Sequence, residues 1–311
     1  EVIHVGMSLP SIPSLQYFCK FKKLKIFRYF HELDGLGYQI PPCFSKAASA
    51  FWLAGDIKNN HLVIPNTFLA SDSKIEDLQI SRCKVHQGCT MTLPNTTNPN
   101  NRLKTLALIE VNVVTKGREE LSGKNYDLYL KGLETLILTE CEINGAIPEN
   151  WKFNSLKILN LNDNELDGKI PSRFFINNKE LHTFYVHKNE KLSGALPTLS
   201  SYPSLKCVDV RDTNVAGPLP NTYLSIKDGE LFLPASSFNI SKIKSDIVKY
   251  NHSQMKCQLC SCKPERDPTR SGSSHEYRCY DLCEDGKRYD RKYLYSIPRL
   301  WWWNPNDVPK F

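Results

Sequence analysis

The sequence predicts a right-handed α/β solenoid with a parallel sheet on its concave side and a cysteine-rich cap at its C-terminal end. Three observations carry this reading. Four consecutive stretches repeat one another: LETLILTECEINGAIP (Leu133–Pro148), LKILNLNDNELDGKIP (Leu156–Pro171), LHTFYVHKNEKLSGALP (Leu181–Pro197) and LKCVDVRDTNVAGPLP (Leu205–Pro220). Their first residues lie 23, 25 and 24 positions apart. Such a unit is too small to fold alone and hides its apolar face by stacking on its neighbours. Within each unit apolar residues two apart open a strand. After Ile243 the repeat stops and five cysteines cluster among lysines and arginines.

The unit Leu156–Pro171 shows the logic of each element. Leu159 and Leu161 share one face of a short strand, and Asn160 faces the other way, toward water, as do the following Asn162 and Asp163. Asn164 places an inward amide where it reaches the backbone of its own turn and of the next coil. Leu166 and Ile170 re-enter the core; Gly168 permits a turn that a side chain hinders, and Pro171 blocks regular structure. Irregular or short helical segments return the chain behind the sheet.

The pattern L-x-x-L-x-L-x-x-N-x-L-x-G-x-[IL]-P resembles the plant-type leucine-rich repeat of plant receptor ectodomains, secreted glycanase inhibitors and some protist surface antigens. The match is closest over 133–220. Weaker copies precede it at Phe21–Pro41, Phe51–Pro65, Ile75–Val85 and Leu103–Val113, and Glu230–Phe238 reads as a last, degenerate turn. About nine coils result. The asparagine slot holds Cys83, Val111, Cys141, Asn164, Asn189 and Thr213 in turn. The paired-cysteine cap found at the start of many plant members is not evident. The division expected is an N-terminal flank at 1–20, repeats at 21–242, and a cysteine-rich cap with a tryptophan-rich tail at 243–311.

Composition bounds the reading. The chain has 311 residues, 41% hydrophobic and 23% charged, with a net charge of +7, which fits a folded chain with a mild basic excess. No run of about 18 apolar residues marks a membrane span. The chain opens on Glu1 without Met or signal-peptide pattern, as expected of a processed or partial product. Basic residues gather at both ends (Lys20, Lys22, Lys23 and Lys25; Lys287, Arg288, Arg291 and Lys292), but acids interleave. These read as solvated faces, and no nucleic-acid partner is expected.

Eleven cysteines are many for a reducing cytosol. Cys83 and Cys141, in the asparagine slot, read as buried structural thiols. Cys19 and Cys43 flank the first coil and are candidates to pair, whereas Cys89 has no evident partner. The tail carries Cys257-x2-Cys260-x-Cys262 and Cys279-x3-Cys283. One reading is a disulfide-stapled cover for the open end of the solenoid, with Cys207 as a sixth thiol. The other is a zinc site on Cys257, Cys260, Cys279 and Cys283, the single cofactor the sequence admits. Trp301, Trp302 and Trp303 either wrap the tail along the chain or anchor a partner. Sequons at Asn95, Asn239 and Asn251 permit glycosylation.

No nucleophile elbow, zinc-protease motif or phosphate loop is present, so a non-catalytic protein is expected. The resemblance implies a protein or peptide partner on the concave sheet, in an extracellular or cell-surface setting. A rigid sheet presents several side chains per coil at small entropic cost. The candidate surface runs Gln79 and Arg82; Ile109 and Glu110; Ile137, Thr139 and Glu140; Asn160, Asn162 and Asp163; Tyr185, His187 and Lys188; Asp209, Arg211 and Asp212. The cluster around His187 has an acid–base composition, but reads as a polar contact patch. The competing class is a structural accessory subunit of a larger extracellular or organellar assembly, held through its basic ends and Trp tail.

Overall fold

The computed structural model describes residues 2–5, 15–21, 23–30, 33–34, 40–54, 57–58, 62–63, 65–81, 89–92, 102–114, 132–199, 204–225, 230–234, 237–238, 256–257, 260–266, 277–283 and 288–290. They fall into two compact units, Glu1–Cys257 and Gln258–Phe311. The first is a solenoid built on one parallel sheet of eleven strands. In order these are β1 (Val2–Val5), β2 (Ile26–Phe30), β3 (Ala50–Ala54), β4 (Asp77–Ser81), β5 (Thr105–Ile109) and β6 (Thr135–Thr139). They continue as β7 (Ile158–Asn160), β8 (Thr183–Tyr185), β9 (Cys207–Asp209), β10 (Glu230–Phe232) and β11 (Lys256–Cys257). Each of the nine segments read as a coil contributes one strand, β2 to β10, and the sheet continues beyond position 243 to Lys256–Cys257. The second unit contains an antiparallel sheet of β12 (Cys260–Arg266), β13 (Tyr277–Cys283) and β14 (Arg288–Asp290).

Strand register turns the sequence alternation into ladders. Phe27, Phe51 and Leu78 stand side by side, and Leu106, Leu136, Leu159, Phe184, Val208 and Leu231 continue the row. Every member of that row is 0–1% exposed. Because period-two alternation puts this entire row inside, the intervening residues form the outer face. At the N-terminal end the row is aromatic: Phe27 stacks on Phe51 at 5.4 Å between ring centroids, and Phe44 meets both. Phe44 lies on one of the short helical returns, Phe44–Ala47; another is Phe174–Asn177.

The asparagine slot stitches coils together. Asn164 Oδ1 accepts from the backbone N–H groups of Cys141 and Ile143, while its Nδ2 donates to the carbonyls of Leu138, Leu161 and Asn162. Asn189 repeats this one coil later, accepting from Leu166 N–H and donating to Leu161, Val186 and His187. Where the slot holds Cys141, the thiol donates instead to the carbonyls of Leu108 and Thr139. Burial, assisted by the carboxylates of Glu140 and Glu110, pushes that thiol up to about 12, so it stays protonated and acts as a small donor. Gly168 sits at φ +69°, the left-handed turn that its position required. Cys19 and Cys43 are joined in a disulfide, with Cα atoms 5.8 Å apart.

Candidate recognition surface on the parallel sheet

Two outer ladders cross the described sheet. One runs Arg28, Trp52, Gln79, Ala107, Ile137, Asn160, Tyr185, Asp209 and Phe232. Beside it, Ser81, Ile109 and Thr139 form part of a second row, followed along the chain by Asn162, His187 and Arg211.

Outward does not mean exposed in the middle and C-terminal coils. Gln79, Ile137, Asn160, Asn162, His187, Asp209 and Arg211 are all buried, none more than 5% exposed. This corrects the expectation that Asn160 and Asn162 face water, and it removes these side chains, with Gln79, Ile137, Thr139, His187, Asp209 and Arg211, from the reachable surface. For the polar residues the reason is local hydrogen bonding. Asn160 Oδ1 accepts from Asn162 N–H at 3.0 Å, and Asn162 Oδ1 accepts from His187 N–H in the next coil. Asp209 Oδ1 makes the same two-residue bond to Arg211 N–H. Arg211 in turn donates Nε and Nη2 to the Asp209 carboxylate and stacks over Phe232, 4.7 Å from its centroid. Burial pushes the Asp209 carboxyl up, but the hydrogen bonds and charge of Arg211 overcome it, and the group is held below the ordinary carboxylate range. Apolar Ile137 is packed at strand spacing between Ala107 and Asn160.

What stays reachable in the C-terminal half is Tyr185, half-buried, and a ridge along the strand ends. Glu110, Glu140, Asp163, Lys188 and Asp212 follow the strands in successive coils, each at φ between 51 and 57°. Backbone bonds hold that conformation: Glu110 N–H donates to Thr139, Glu140 to Asn162, Asp163 to His187 and Lys188 to Arg211. Lys188 pairs with Asp163. Desolvation, then the charges of Asp163 and Glu110, raise the Glu140 carboxyl, and Lys188 opposes them. The ridge is mainly acidic, with a single lysine at its fourth place.

The N-terminal end of the first ladder differs. Arg28 lies over the Trp52 ring, its guanidinium carbon 3.8 Å from the centroid. Trp52 Nε1 donates to Asp77 Oδ2 at 2.9 Å, and Gln79 Nε2 donates to Asp77 Oδ1 at 2.8 Å. Desolvation raises the Asp77 carboxyl despite these donors and the nearby charge of Arg28. Sequence reading missed Arg28, Trp52 and Asp77. The signal was there: alternation in IFRYF and FWLA puts Arg28 and Trp52 on the outer face.

Other sequence expectations are placed as follows. Cys207 is half-buried, between Thr183 and Glu230 in its ladder. Its sheet neighbours carry no thiol, and the side chains of the tail cysteines expected to bridge to it lie outside the described residues. The backbone register sets Cys260 opposite Cys283 and Cys279 opposite Pro264. The side chains of Cys257, Cys260, Cys262, Cys279 and Cys283 lie outside the described residues, as do Cys83, Arg82, Asn95, Asn239, Asn251 and the Trp301–Trp303 run. Among the described residues no group of three or more His, Cys, Asp and Glu is arranged for a metal, and no helix is long and apolar enough to cross a membrane.

Residues 155–175 match the family model described as Leucine Rich Repeat. Among solved structures the chain is similar to the plant peptide hormone receptor RGFR1 in complex with RGF2, at 17% identity and TM-score 0.51, over 72% of this chain and 34% of that one. The fold is a leucine-rich-repeat solenoid. A second similar structure is the Arabidopsis receptor kinase HAESA in complex with the peptide hormone IDA and the co-receptor SERK1, at 20% identity and TM-score 0.43, over 69% of this chain and 37% of that one. This leucine-rich-repeat chain thus spans about a third of the length of the receptors it matches. No curated protein sequence matches it.

Proposed function

We propose that this leucine-rich-repeat solenoid is a non-catalytic recognition module that takes a protein or peptide on the concave face of its parallel sheet. One observation carries the reading. The outer ladder presents aromatic and guanidinium groups, Arg28, Trp52 and Tyr185, at both ends of a rigid sheet, in register and only half-buried. Tyr, Trp and Arg are the side chains that dominate protein interfaces, because they offer large contact area with few torsions to freeze. The ridge of Glu110, Glu140, Asp163, Lys188 and Asp212 gives the same face a polar rim. The RGFR1 structure, solved with the peptide RGF2, has a comparable sheet and supports the reading by analogy of fold. The Cys19–Cys43 disulfide supports an oxidising, extracellular or cell-surface setting. In that setting the tail cysteines pair as disulfides, at most two bridges among the five and a third with a thiol from elsewhere, rather than hold zinc.

The test is a synthetic array of randomised 12-residue peptides probed with the whole chain. Binders are expected, and Tyr185→Ala weakens them about tenfold or more, as loss of a central aromatic anchor does. Lys169→Glu, on the back, leaves them unchanged. Sensitivity confined to the back or the tail would favour the structural-subunit reading instead.

A further inference from the structure

The coils of β5 to β9 carry charges of opposite sign at the two ends of their strands. Just ahead of these strands stand Lys104, Glu134, Lys157, His182 and Lys206. Main-chain bonds set them on consecutive rungs: Glu134 N–H donates to the carbonyl of Lys104, Lys157 to Glu134, His182 to Lys157 and Lys206 to His182. Six positions later in each coil comes the ridge that runs from Glu110 to Asp212. The first margin is mainly basic and the second mainly acidic. Both are open to solvent: Lys104, Lys157, Lys206, Glu140 and Asp212 are exposed, and Glu110 and Asp163 are half-buried.

The residue of minority sign on each margin is paired along that margin. Glu134 is bonded to Lys157 across coils, and Lys188 to Asp163. Between the margins the floor is close to neutral. Its half-buried row is Thr105, Thr135, Ile158, Thr183 and Cys207, and the buried pair of Asp209 and Arg211 neutralises itself. A strand rises about 3.3 Å per residue, so the margins stand up to about 20 Å apart. That exceeds the screening length of about 8 Å at physiological salt, so a ligand meets two separate fields rather than their average.

An extended peptide turns successive side chains to opposite sides. Laid across β5 to β9, it presents alternate residues to opposite margins. We propose that this stretch of the sheet selects extended peptides whose charges alternate along the chain, with acidic side chains toward the lysines and basic ones toward the carboxylates. The same pose turns the peptide's N–H and C=O groups toward and away from the floor. The hydroxyls of Thr105, Thr135 and Thr183 both donate and accept, and so serve either group. The selection rests on the recognition reading above and adds the charge pattern of the ligand.

Two synthetic peptides of one length and composition test it by calorimetric titration of the whole chain. One alternates Glu and Lys throughout; the other repeats Glu-Glu-Lys-Lys. In extended form the first keeps all its acids on one side, whereas the second puts both signs equally on each side. The alternating peptide is expected to bind about tenfold or more tighter, and added salt to shrink the difference. Lys104→Gln with Lys206→Gln, and separately Glu140→Gln with Asp212→Asn, weaken the alternating peptide about tenfold and leave the other unchanged. These four side chains are exposed; circular dichroism checks that the variants fold, and the comparison of the two peptides on the wild-type chain needs no variant. Equal affinities for the two peptides, or indifference to both pairs of substitutions, overturn the selection and leave recognition standing. Failure of both peptides to bind, while the randomised array yields binders, does the same. An array in which nothing binds overturns both.

Discussion

Asp209 and Asp77 occupy neighbouring rows of the same sheet, at opposite ends of the solenoid, and do opposite things. Asp209 holds its own cation: Arg211 is bonded to it, stacked on Phe232 and buried. Asp77 accepts from an indole and an amide, and the cation beside it lies over that indole. The contrast shows that polarity on a solenoid's sheet does not by itself mark a contact surface. A side chain whose bonding capacity is filled within its own coil belongs to the fold. One that keeps part of its surface open, as Trp52 and Tyr185 do, is available to a partner.

The largest expected effect breaks the C-terminal pair. Arg211→Glu leaves two carboxylates buried together and should cost at least about 3–5 kcal/mol, the loss seen when one partner of a buried ion pair is removed. Denaturant melts read it directly. Arg211 is thus a stability residue rather than the contact residue its sequence position suggested.

Leu159→Ala and Asn160→Ala come next. The leucine, fully buried, should lose about 2–5 kcal/mol through transfer and cavity terms. Asn160, expected from sequence to be a neutral surface change, should instead lose about 1–3 kcal/mol, because its removal strands the N–H of Asn162 in a buried place. Thermal melts that leave Asn160→Ala at wild-type stability would contradict the inward bonding described here.

Acid titration sharpens the comparison by sign. The folded carboxyl of Asp209 lies below its unfolded value, so its stabilisation is present above the unfolded pKa and disappears as pH falls through the lower folded one. Asp77 is shifted the other way. In the window between its two values the folded state binds more protons, so its contribution falls as pH rises. Across the carboxylate range, about pH 2–6, Asp209→Asn should flatten the acid loss of stability and Asp77→Asn should steepen it. Melting temperature against pH distinguishes the two slopes.

The smallest effect is expected on the exposed rungs. Lys157 and Glu134 pair across coils at 2.7 Å, both well exposed, and Lys157→Ala should change stability by less than about 0.5 kcal/mol.

Much of the fold was legible because one requirement, burial of alternate residues, repeats at a fixed period. Leu136, Leu159 and Leu161 were readable as core, and Asn164 as the amide that ties coils together. The contact surface was less legible because alternation distinguishes two faces but not how full each face is. Whether Asn162 points to solvent or to the N–H of His187 depends on an atom about 25 positions away in the chain, and no local pattern encodes it. Arg28 and Trp52 escaped because their coils depart from the consensus. The register that aligns them with Gln79 emerges only when the strands are stacked.

Cys141 has a consequence for experiment. Its sulfur is sealed inside the fifth coil's turn, donates to two carbonyls, and needs a pH near 12 to ionise. An alkylating reagent attacks only the thiolate, so it cannot touch this sulfur until the stack around it parts. Cys207, in the same chain and only half-buried, supplies the fast reference. The ratio of the two labelling rates is a built-in clock for how often the middle of the solenoid opens, readable by mass spectrometry without introducing a probe.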